Sequence, residues 1–149
     1  MSAMEQKAIT IATRAHQGQT DKTGHPYIEH PARVAKNVTH HASAADLETA
    51  RTVAWLHDVI EDTHMALKEL ATMFPPEVVT SIDAITKRHN ENPDSYYTRI
   101  RSNRIALAVK HADIDDNTDP IRVARLDEKT RKRLAVKYAR ARASLSGEL

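Results

Sequence analysis

A nearly continuous apolar segment with one polar pair inside it, residues 53–60, constrains this sequence most. Apart from His57 and Asp58, every residue in the segment is apolar, and a helix that is apolar on all sides is usually buried. An unpartnered buried carboxylate is very costly, so Asp58 needs a cation or a dense set of hydrogen bonds. The pair therefore indicates either a buried polar site or a structural role, in which Asp58 caps a neighbouring helix and His57 is a satisfied core histidine.

The rest of the sequence favours an all-α fold of about seven or eight helices. Apolar residues recur at spacings of three and four along most of the 149 residues, as in amphipathic helices. With only 3 glycines, few turns can require a positive φ. The length suits one domain, residues 1–149, with its own core. The predicted helices cover about residues 2–16, 29–38, 46–60, 66–73, 76–85, 95–101, 105–116 and 127–144.

The charge balance and composition argue against a nucleic-acid partner, disulfide bonds, thiolate metal sites and a membrane span. The 22 basic and 20 acidic residues leave a formal charge of +2, which is too small to argue for nucleic acid. The chain has no cysteine, so disulfides and thiolate metal sites are excluded. We see no signal peptide and no run of about 18 apolar residues, and therefore expect a cytoplasmic protein without a membrane span. The sequence does not reveal the oligomeric state.

The last predicted helix is strongly basic. Its inner face is expected to carry Leu134, Ala135, Tyr138 and Ala139. The basic residues are either a solvated face or a surface that attracts an anionic ligand. They are Arg131, Lys132, Arg133, Lys137, Arg140 and Arg142.

Two more carboxylates, Glu61 and Asp62, follow the His57-Asp58 pair by one helical turn. In a helix, Glu61 lies four residues from His57 and Asp62 four residues from Asp58, so all share one end of the helix. Such closely spaced carboxylates repel each other unless a cation is present. We expect His57 and Asp58 to touch the ion. Glu61 and Asp62, about 5–6 Å further along, suit acid/base or water-positioning roles.

A histidine and an aspartate elsewhere complete a ligand set. His30 begins another helix after a polar loop, and by itself it would be an exposed loop histidine. Asp113 lies near the end of an apolar helix and shares a face with Asn117, while Asp115 and Asp116 extend the acidic run and could be solvated surface. The ordered set, His30, His57-Asp58 and Asp113, suits a divalent ion such as Mn²⁺, Fe²⁺, Co²⁺ or Zn²⁺.

This pattern resembles the HD superfamily of metal-dependent phosphohydrolases. It is closer still to the hydrolase domain of RelA/SpoT-type enzymes and to the stand-alone small alarmone hydrolases. The likeness extends over about residues 5–120. The matching segments are residues 15–19 (AHQGQ), 24–31 (GHPYIEHP), 55–63 (WLHDVIEDT), 109–113 (VKHAD) and Asn117.

The resemblance implies an HD-domain helical bundle and assigns roles to individual residues. It makes His30, His57, Asp58 and Asp113 the ligands of one metal ion, most often Mn²⁺ in that family. Glu61 and Asp62 match the catalytic pair that positions and activates the attacking water. The residues expected to bind substrate are Lys22, Tyr27 and Asn117.

Two departures from the family pattern concern the substrate more than the metal. Members that degrade ppGpp carry an arginine that packs against the guanine base, and Asp21 stands at that position here. An aspartate cannot stack on a base as a guanidinium does. It could accept hydrogen bonds from a base edge or face water. The second departure is His111, where the family usually has leucine.

The resemblance therefore implies a ppGpp 3′-pyrophosphohydrolase that acts on a small phosphorylated nucleotide. Two alternatives stay open at this point. One is an HD phosphatase or nucleotidase acting on another nucleotide, such as NADPH or a nucleoside phosphate, which Asp21 favours. The other is a nucleotide-binding sensor without turnover.

Overall fold

The computed structural model describes residues 1–147, and the regular secondary structure of this part of the chain is helical apart from one isolated bridge between Thr20 and Pro26. The all-α prediction is confirmed, and each of the eight predicted helices is present. Two further helices of four residues each, Val59–Asp62 and Pro120–Val123, were not predicted as separate elements. The helices are α1 (Ala3–Ala15), α2 (Glu29–Asn37), a 3-10 turn (Val38–His40), α3 (Leu47–Leu56), α4 (Val59–Asp62), α5 (Leu67–Ala71), α6 (Pro76–Ile85), α7 (Pro93–Arg101), α8 (Arg104–Asn117), α9 (Pro120–Val123) and α10 (Glu128–Ser146).

Local side-chain chemistry explains where several helices begin. Ser2, Asn92, Asn103, Asp119 and Asp127 each accept a hydrogen bond from a backbone N–H in the first turn of the helix that follows. Helices α6, α7 and α9 also begin with proline, whose missing N–H costs nothing in a first turn. Asp46 directly precedes α3, but its side chain makes no capping hydrogen bond. Its carboxylate accepts two hydrogen bonds from Arg104 instead, at 2.8 and 3.0 Å.

Helix α3 is the centre of the bundle, as the apolar segment predicted. It packs against α1, α2, α6 and α8, and its residues Ala50, Val53, Ala54 and Leu56 are fully buried. Helix α8 is almost as central and packs against α2, α3, α6 and α7. This packing brings the first turn of α2, the end of α3 and the second half of α8 together.

The chain bends at His57-Asp58, where the sequence predicted an unbroken helix from about residue 46 to residue 60. Helix α3 ends at Leu56, and α4 begins at Val59. The His57 imidazole donates from Nδ1 to the carbonyl oxygen of Ala54 at 2.6 Å, whereas its backbone N–H lies 3.5 Å from the same oxygen. Because the side chain competes with the backbone for this carbonyl, the helix ends here. The prediction of one continuous helix was wrong.

The basic helix α10 packs on the bundle with its C-terminal half. Leu134 is buried and Tyr138 half-buried, but Ala135 and Ala139 are exposed, so that part of the predicted inner face was wrong. The helix is anchored instead by Ala141, Ser144 and Leu145, which pack where α10 meets α7 and α8. Of the helices in residues 1–147, none combines the length and the apolar character needed to cross a bilayer.

Candidate metal centre and active site

The structure brings His30 and His57 together from different helices, with their rings 5.3 Å apart at the centroids. His30 lies in the first turn of α2 and is 5% exposed. Its Nδ1 lies 2.6 Å from Oδ2 of Asp116, and because a carboxylate only accepts, Nδ1 is the donor. The other nitrogen, Nε2, then faces two further carboxylate oxygens. These are Oδ1 of Asp113 at 2.9 Å and Oδ2 of Asp58 at 3.7 Å.

His57 presents its Nε2 atom to the same carboxylates. Since Nδ1 donates to the Ala54 carbonyl, the lone pair of the neutral ring lies on Nε2. This atom is buried without a hydrogen-bond partner, 3.1 Å from Oδ2 of Asp58 and 3.4 Å from Oδ1 of Asp113. A buried nitrogen lone pair beside two anionic oxygens is stabilised when a proton or a metal ion lies between them.

The geometry and electrostatics of His30, His57 and Asp113 fit a divalent cation, and Oδ2 of Asp58 lies within 3.7 Å of Nε2 of both imidazoles. Ligand atoms held about 2.0–2.2 Å from one ion lie roughly 3.0–3.5 Å from each other, and the four N–O separations here range from 2.9 to 3.7 Å. Burial opposes protonation of the imidazoles, yet the surrounding carboxylates outweigh it and raise the pKa of both His30 and His57 above the ordinary value. The same negative potential that favours a proton favours a metal ion.

Neighbouring side chains hold the two candidate carboxylate ligands. Asp113 accepts hydrogen bonds from Lys110 Nζ at 3.1 Å and from Asn117 Nδ2 at 3.2 Å. Burial disfavours its charge, but Lys110 and the two imidazoles keep the pKa of Asp113 well below its usual range. Asp58 accepts a hydrogen bond from the Tyr27 hydroxyl. Tyr27 and Asn117 were predicted to bind substrate, and the structure adds that each contacts a candidate ligand.

Glu61 and Asp62 lie on the short helix α4, one turn beyond Asp58, at the position that the sequence suggested. Both line a cavity of about 370 Å³, the first cavity, together with His30, Asp58 and Asp113. Oε1 of Glu61 accepts a hydrogen bond from the backbone N–H of Lys87 at 3.0 Å, which anchors this carboxylate at the rim. Burial, with the nearby charges of Asp58 and Glu61, raises the pKa of Asp62 to about 6. A carboxylate with a pKa near neutrality suits proton transfer.

The loop before α2 carries Lys22 and Asp21 along the wall of the first cavity. Lys22 is exposed there. Oδ1 of Asp21 accepts three hydrogen bonds within the loop, from the N–H and hydroxyl of Thr23 at 2.8 and 2.7 Å and from the N–H of His25 at 3.0 Å. Its Oδ2 lies 3.8 Å from Nη2 of Arg122. Asp21 therefore organises the loop, a role that neither sequence-based alternative included.

Asp116 is a functional candidate that the sequence did not separate from solvated surface. It is 3% exposed and orients His30 through Nδ1. Arg33 Nε and Arg122 Nη1 also donate to its carboxylate, at 2.7 and 2.8 Å. Asp116 lies three residues after Asp113 on α8, so both face α2. That three-residue spacing was the only feature of the sequence that could have identified Asp116 as a site residue.

Replacing Asp116 by asparagine is expected to weaken divalent-ion binding about 10- to 100-fold, because His30 loses the anionic acceptor that orients its ring and makes Nε2 more basic. Metal titration by calorimetry measures this change. The matched control is Asp115→Asn on the same helix, whose carboxylate contacts His41 and Arg142 outside the cluster. Equal metal affinities in the two variants would contradict the role of Asp116.

Comparisons with known proteins agree with this arrangement. The HD domain profile matches residues 8–112. The chain is 38% identical over 85 residues to a guanosine-3′,5′-bis(diphosphate) 3′-pyrophosphohydrolase of Borreliella burgdorferi, which covers 56% of this chain and 12% of that protein. A protein of the same name from Vibrio cholerae is 30% identical over 136 residues, which is 84% of this chain and 19% of that protein. Another from Danio rerio is 33% identical over 82 residues, which is 54% of this chain and 45% of that protein.

A solved structure of a metazoan ortholog of SpoT that hydrolyses ppGpp has the same fold. It superposes with a TM-score of 0.80 and 22% identity, covering 99% of this chain and 88% of that one. The chain spans only 12–45% of the length of the three curated relatives. The profile match, by contrast, extends over most of the chain, includes His30, His57 and Asp58, and ends one residue before Asp113. The chain therefore belongs to the HD domain family.

Proposed function

We propose that this chain is a divalent-metal-dependent phosphohydrolase, with residues 1–149 as a single domain, and that His30, His57, Asp58 and Asp113 bind the ion. The observation that carries the proposal is Nε2 of His57, which is buried without a partner and faces two carboxylates. The family resemblance favours Mn²⁺, and the mixed imidazole and carboxylate set suits an ion of that kind.

The chain's own residues supply the remaining steps of hydrolysis. When bound, a divalent ion of this kind supplies charge stabilisation at a phosphoryl oxygen and lowers the pKa of water. Glu61 and Asp62 line the cavity beside the ligands, where their carboxylate oxygens orient the attacking water and accept its proton. Tyr27 and Asn117 hold Asp58 and Asp113 in place, while Lys22 and Lys110 offer positive charge to the substrate phosphates.

The substrate that we propose is ppGpp, cleaved at its 3′-pyrophosphate. Relatives from three organisms are named guanosine-3′,5′-bis(diphosphate) 3′-pyrophosphohydrolases. A metazoan ortholog of SpoT that hydrolyses ppGpp has the same fold. The first cavity, about 370 Å³, combines the candidate ligands with an apolar wall from Val123, Leu126 and Leu134. Such a wall suits the base or ribose of a nucleotide.

One observation favours a second candidate, a nucleotidase or phosphatase acting on another nucleotide. Asp21 occupies the position at which the resemblance places a base-stacking arginine, and its Oδ1 is already engaged by Thr23 and His25. The base contact that the resemblance implies is therefore missing from this loop. The phosphate chemistry of the two candidates is the same, and the base they recognise differs.

A screen of phosphorylated nucleotides with added Mn²⁺ separates these functions. We expect ppGpp to release intact pyrophosphate and the activity to disappear with a chelator and return with Mn²⁺. Orthophosphate from NADPH or a nucleoside monophosphate, without turnover of ppGpp, would favour the second candidate. Binding of a nucleotide without turnover in the presence of metal would instead identify a sensor.

A further inference from the structure

The segment of residues 15–19 (AHQGQ) contacts the short helix α4, which carries Glu61 and Asp62. Nε2 of Gln19 donates a hydrogen bond to the backbone carbonyl oxygen of Asp62 at 2.9 Å. Helix α4 has four residues, and the carbonyl groups at the end of a helix have no partner within it. Gln19 therefore satisfies a carbonyl at the end of the helix that carries the two proposed catalytic carboxylates.

Helix α4 has few other attachments to the rest of the molecule. A single helical turn is unstable by itself in water, and Val59 is the one buried residue of α4. The N–H of Lys87 holds the side chain of Glu61 but not the backbone of the helix. Within residues 1–147, the Gln19 amide is the group that reaches the α4 backbone from a distant part of the chain. The position of α4 depends on this hydrogen bond.

His16 fixes the orientation of the Gln19 amide. A carbonyl oxygen only accepts, so the Gln19 atom that faces Asp62 is the amide nitrogen. The other amide atom, Oε1, then accepts a hydrogen bond from Nδ1 of His16 at 2.8 Å. His16 is 2% exposed, burial lowers its pKa, and its Nε2 is buried without a partner. Burying a ring with one nitrogen unpaired costs free energy, and the one hydrogen bond that the ring makes is directed at Gln19.

The backbone of Gln19 holds a second part of the site. Its carbonyl oxygen accepts a hydrogen bond from the N–H of Tyr27 at 2.9 Å. The Tyr27 hydroxyl in turn donates to Asp58, one of the proposed metal ligands. Gln19 thus connects the loop before α2 with the helix that carries Glu61 and Asp62.

We propose that Gln19, oriented by His16, is a positioning residue that fixes α4 and thereby the direction in which Glu61 and Asp62 meet the attacking water. This inference rests on the proposed function and adds two residues to it. Neither residue contacts the reacting atoms. Their effect on turnover comes from geometry, because a misplacement of about 1 Å can lower a rate about 100-fold.

Gln19→Glu tests the positioning by separating kcat from binding. Glutamate has nearly the same shape and still accepts from His16, but it has no N–H for the Asp62 carbonyl. We expect kcat for ppGpp to fall about 10- to 100-fold, with KM and the Mn²⁺ dissociation constant close to the wild-type values. The control is Gln17→Glu, which makes the same charge change at an exposed side chain with no hydrogen bond in the described part of the chain.

Three results of these measurements would overturn the proposal. They are a wild-type kcat in Gln19→Glu, an equal loss in Gln17→Glu, and a joint loss of kcat, Mn²⁺ affinity and unfolding temperature, which would indicate a general loosening of the fold.

Two substitutions of His16 test its part in the arrangement. His16→Leu removes the donor to Oε1 of Gln19, and we expect kcat to fall about tenfold. His16→Asn keeps an N–H donor close to the position of Nδ1, and we expect it to restore most of the lost kcat. Equal values of kcat in the leucine and asparagine variants would show that His16 does not act through this hydrogen bond.

Amide hydrogen exchange measures the attachment of α4 without any substrate. The N–H groups of Asp62 and Thr63 donate to the carbonyl oxygens of Asp58 and Val59 at 2.9 and 3.1 Å. We expect both amides to exchange about tenfold faster in Gln19→Glu and at the wild-type rate in Gln17→Glu. Unchanged exchange in Gln19→Glu would overturn the inference for any substrate. Faster exchange in a chain that does not hydrolyse ppGpp would support the attachment of α4 by Gln19, while the proposed function fails.

Discussion

Asp58→Ala is expected to abolish binding of the divalent ion, with a loss of affinity well beyond the roughly 100-fold effect of changing a residue that only orients a ligand. Oδ2 of Asp58 lies 3.1 Å from Nε2 of His57 and 3.7 Å from Nε2 of His30, so the substitution removes the oxygen that both imidazoles face. The residues that remain, His30, His57 and Asp113, carry only one of the two carboxylates of the proposed site. Hydrolysis is expected to fall to background.

Thermal unfolding measures this prediction independently of any substrate. An ion present at 100 times its dissociation constant stabilises the folded state by about 2.7 kcal/mol. We expect added Mn²⁺ to raise the unfolding temperature of the wild-type chain but not that of Asp58→Ala. Asp83→Ala is a suitable control, because Asp83 lies on α6 and pairs with Arg88 outside the cluster. A normal metal-dependent shift in Asp58→Ala would exclude Asp58 as a ligand.

Glu61→Gln is expected to separate metal binding from turnover. The amide oxygen of glutamine can still accept the hydrogen bond from the Lys87 N–H, so the side chain keeps its place while its charge is lost. Losing a group that handles the proton of the attacking water lowers kcat by about 10²- to 10⁴-fold. The affinity for Mn²⁺ is expected to stay close to that of the wild type, because Glu61 lies one turn beyond Asp58.

Parallel measurements of kcat and of the Mn²⁺ dissociation constant test this separation. Glu48→Gln serves as the control, because Glu48 is an exposed glutamate in the first turn of α3, remote from the first cavity. Wild-type turnover in Glu61→Gln would remove Glu61 from the proposed mechanism. A large loss of metal affinity would instead place Glu61 among the ligands.

Much of the fold follows from local sequence pattern. Helix positions depend on apolar spacing and on capping residues such as Ser2 and Asp127, which act within a few residues of themselves. The buried polar pair His57-Asp58 also identified the central helix, because a charged group in an apolar segment needs a partner wherever that segment packs. The proposed ligand set came from the ordered histidines and aspartates and from the family resemblance, and it remains to be tested.

Apolar periodicity was least informative where a side-chain hydrogen bond or the packing of a whole helix decides the structure. The bend after Leu56 depends on a bond from the His57 side chain to a backbone carbonyl, and a periodicity of apolar residues contains no information about it. The inner face of α10 was misplaced for a related reason. Ala135 and Ala139 fit the apolar stripe, but the helix packs on α7 and α8 through its later turns, so these two alanines face solvent.

The sequence by itself determined an all-helical chain, a central helix with a buried polar pair, and a set of residue types suited to a divalent ion. Only the tertiary structure decided that Asp116 orients His30 across 86 positions of sequence and that Asp21 is used within its own loop. The physical reason is the separation along the chain over which the interactions act. Helix formation depends on neighbours three and four residues apart, whereas hydrogen-bond partners and cavity walls depend on how the finished helices pack.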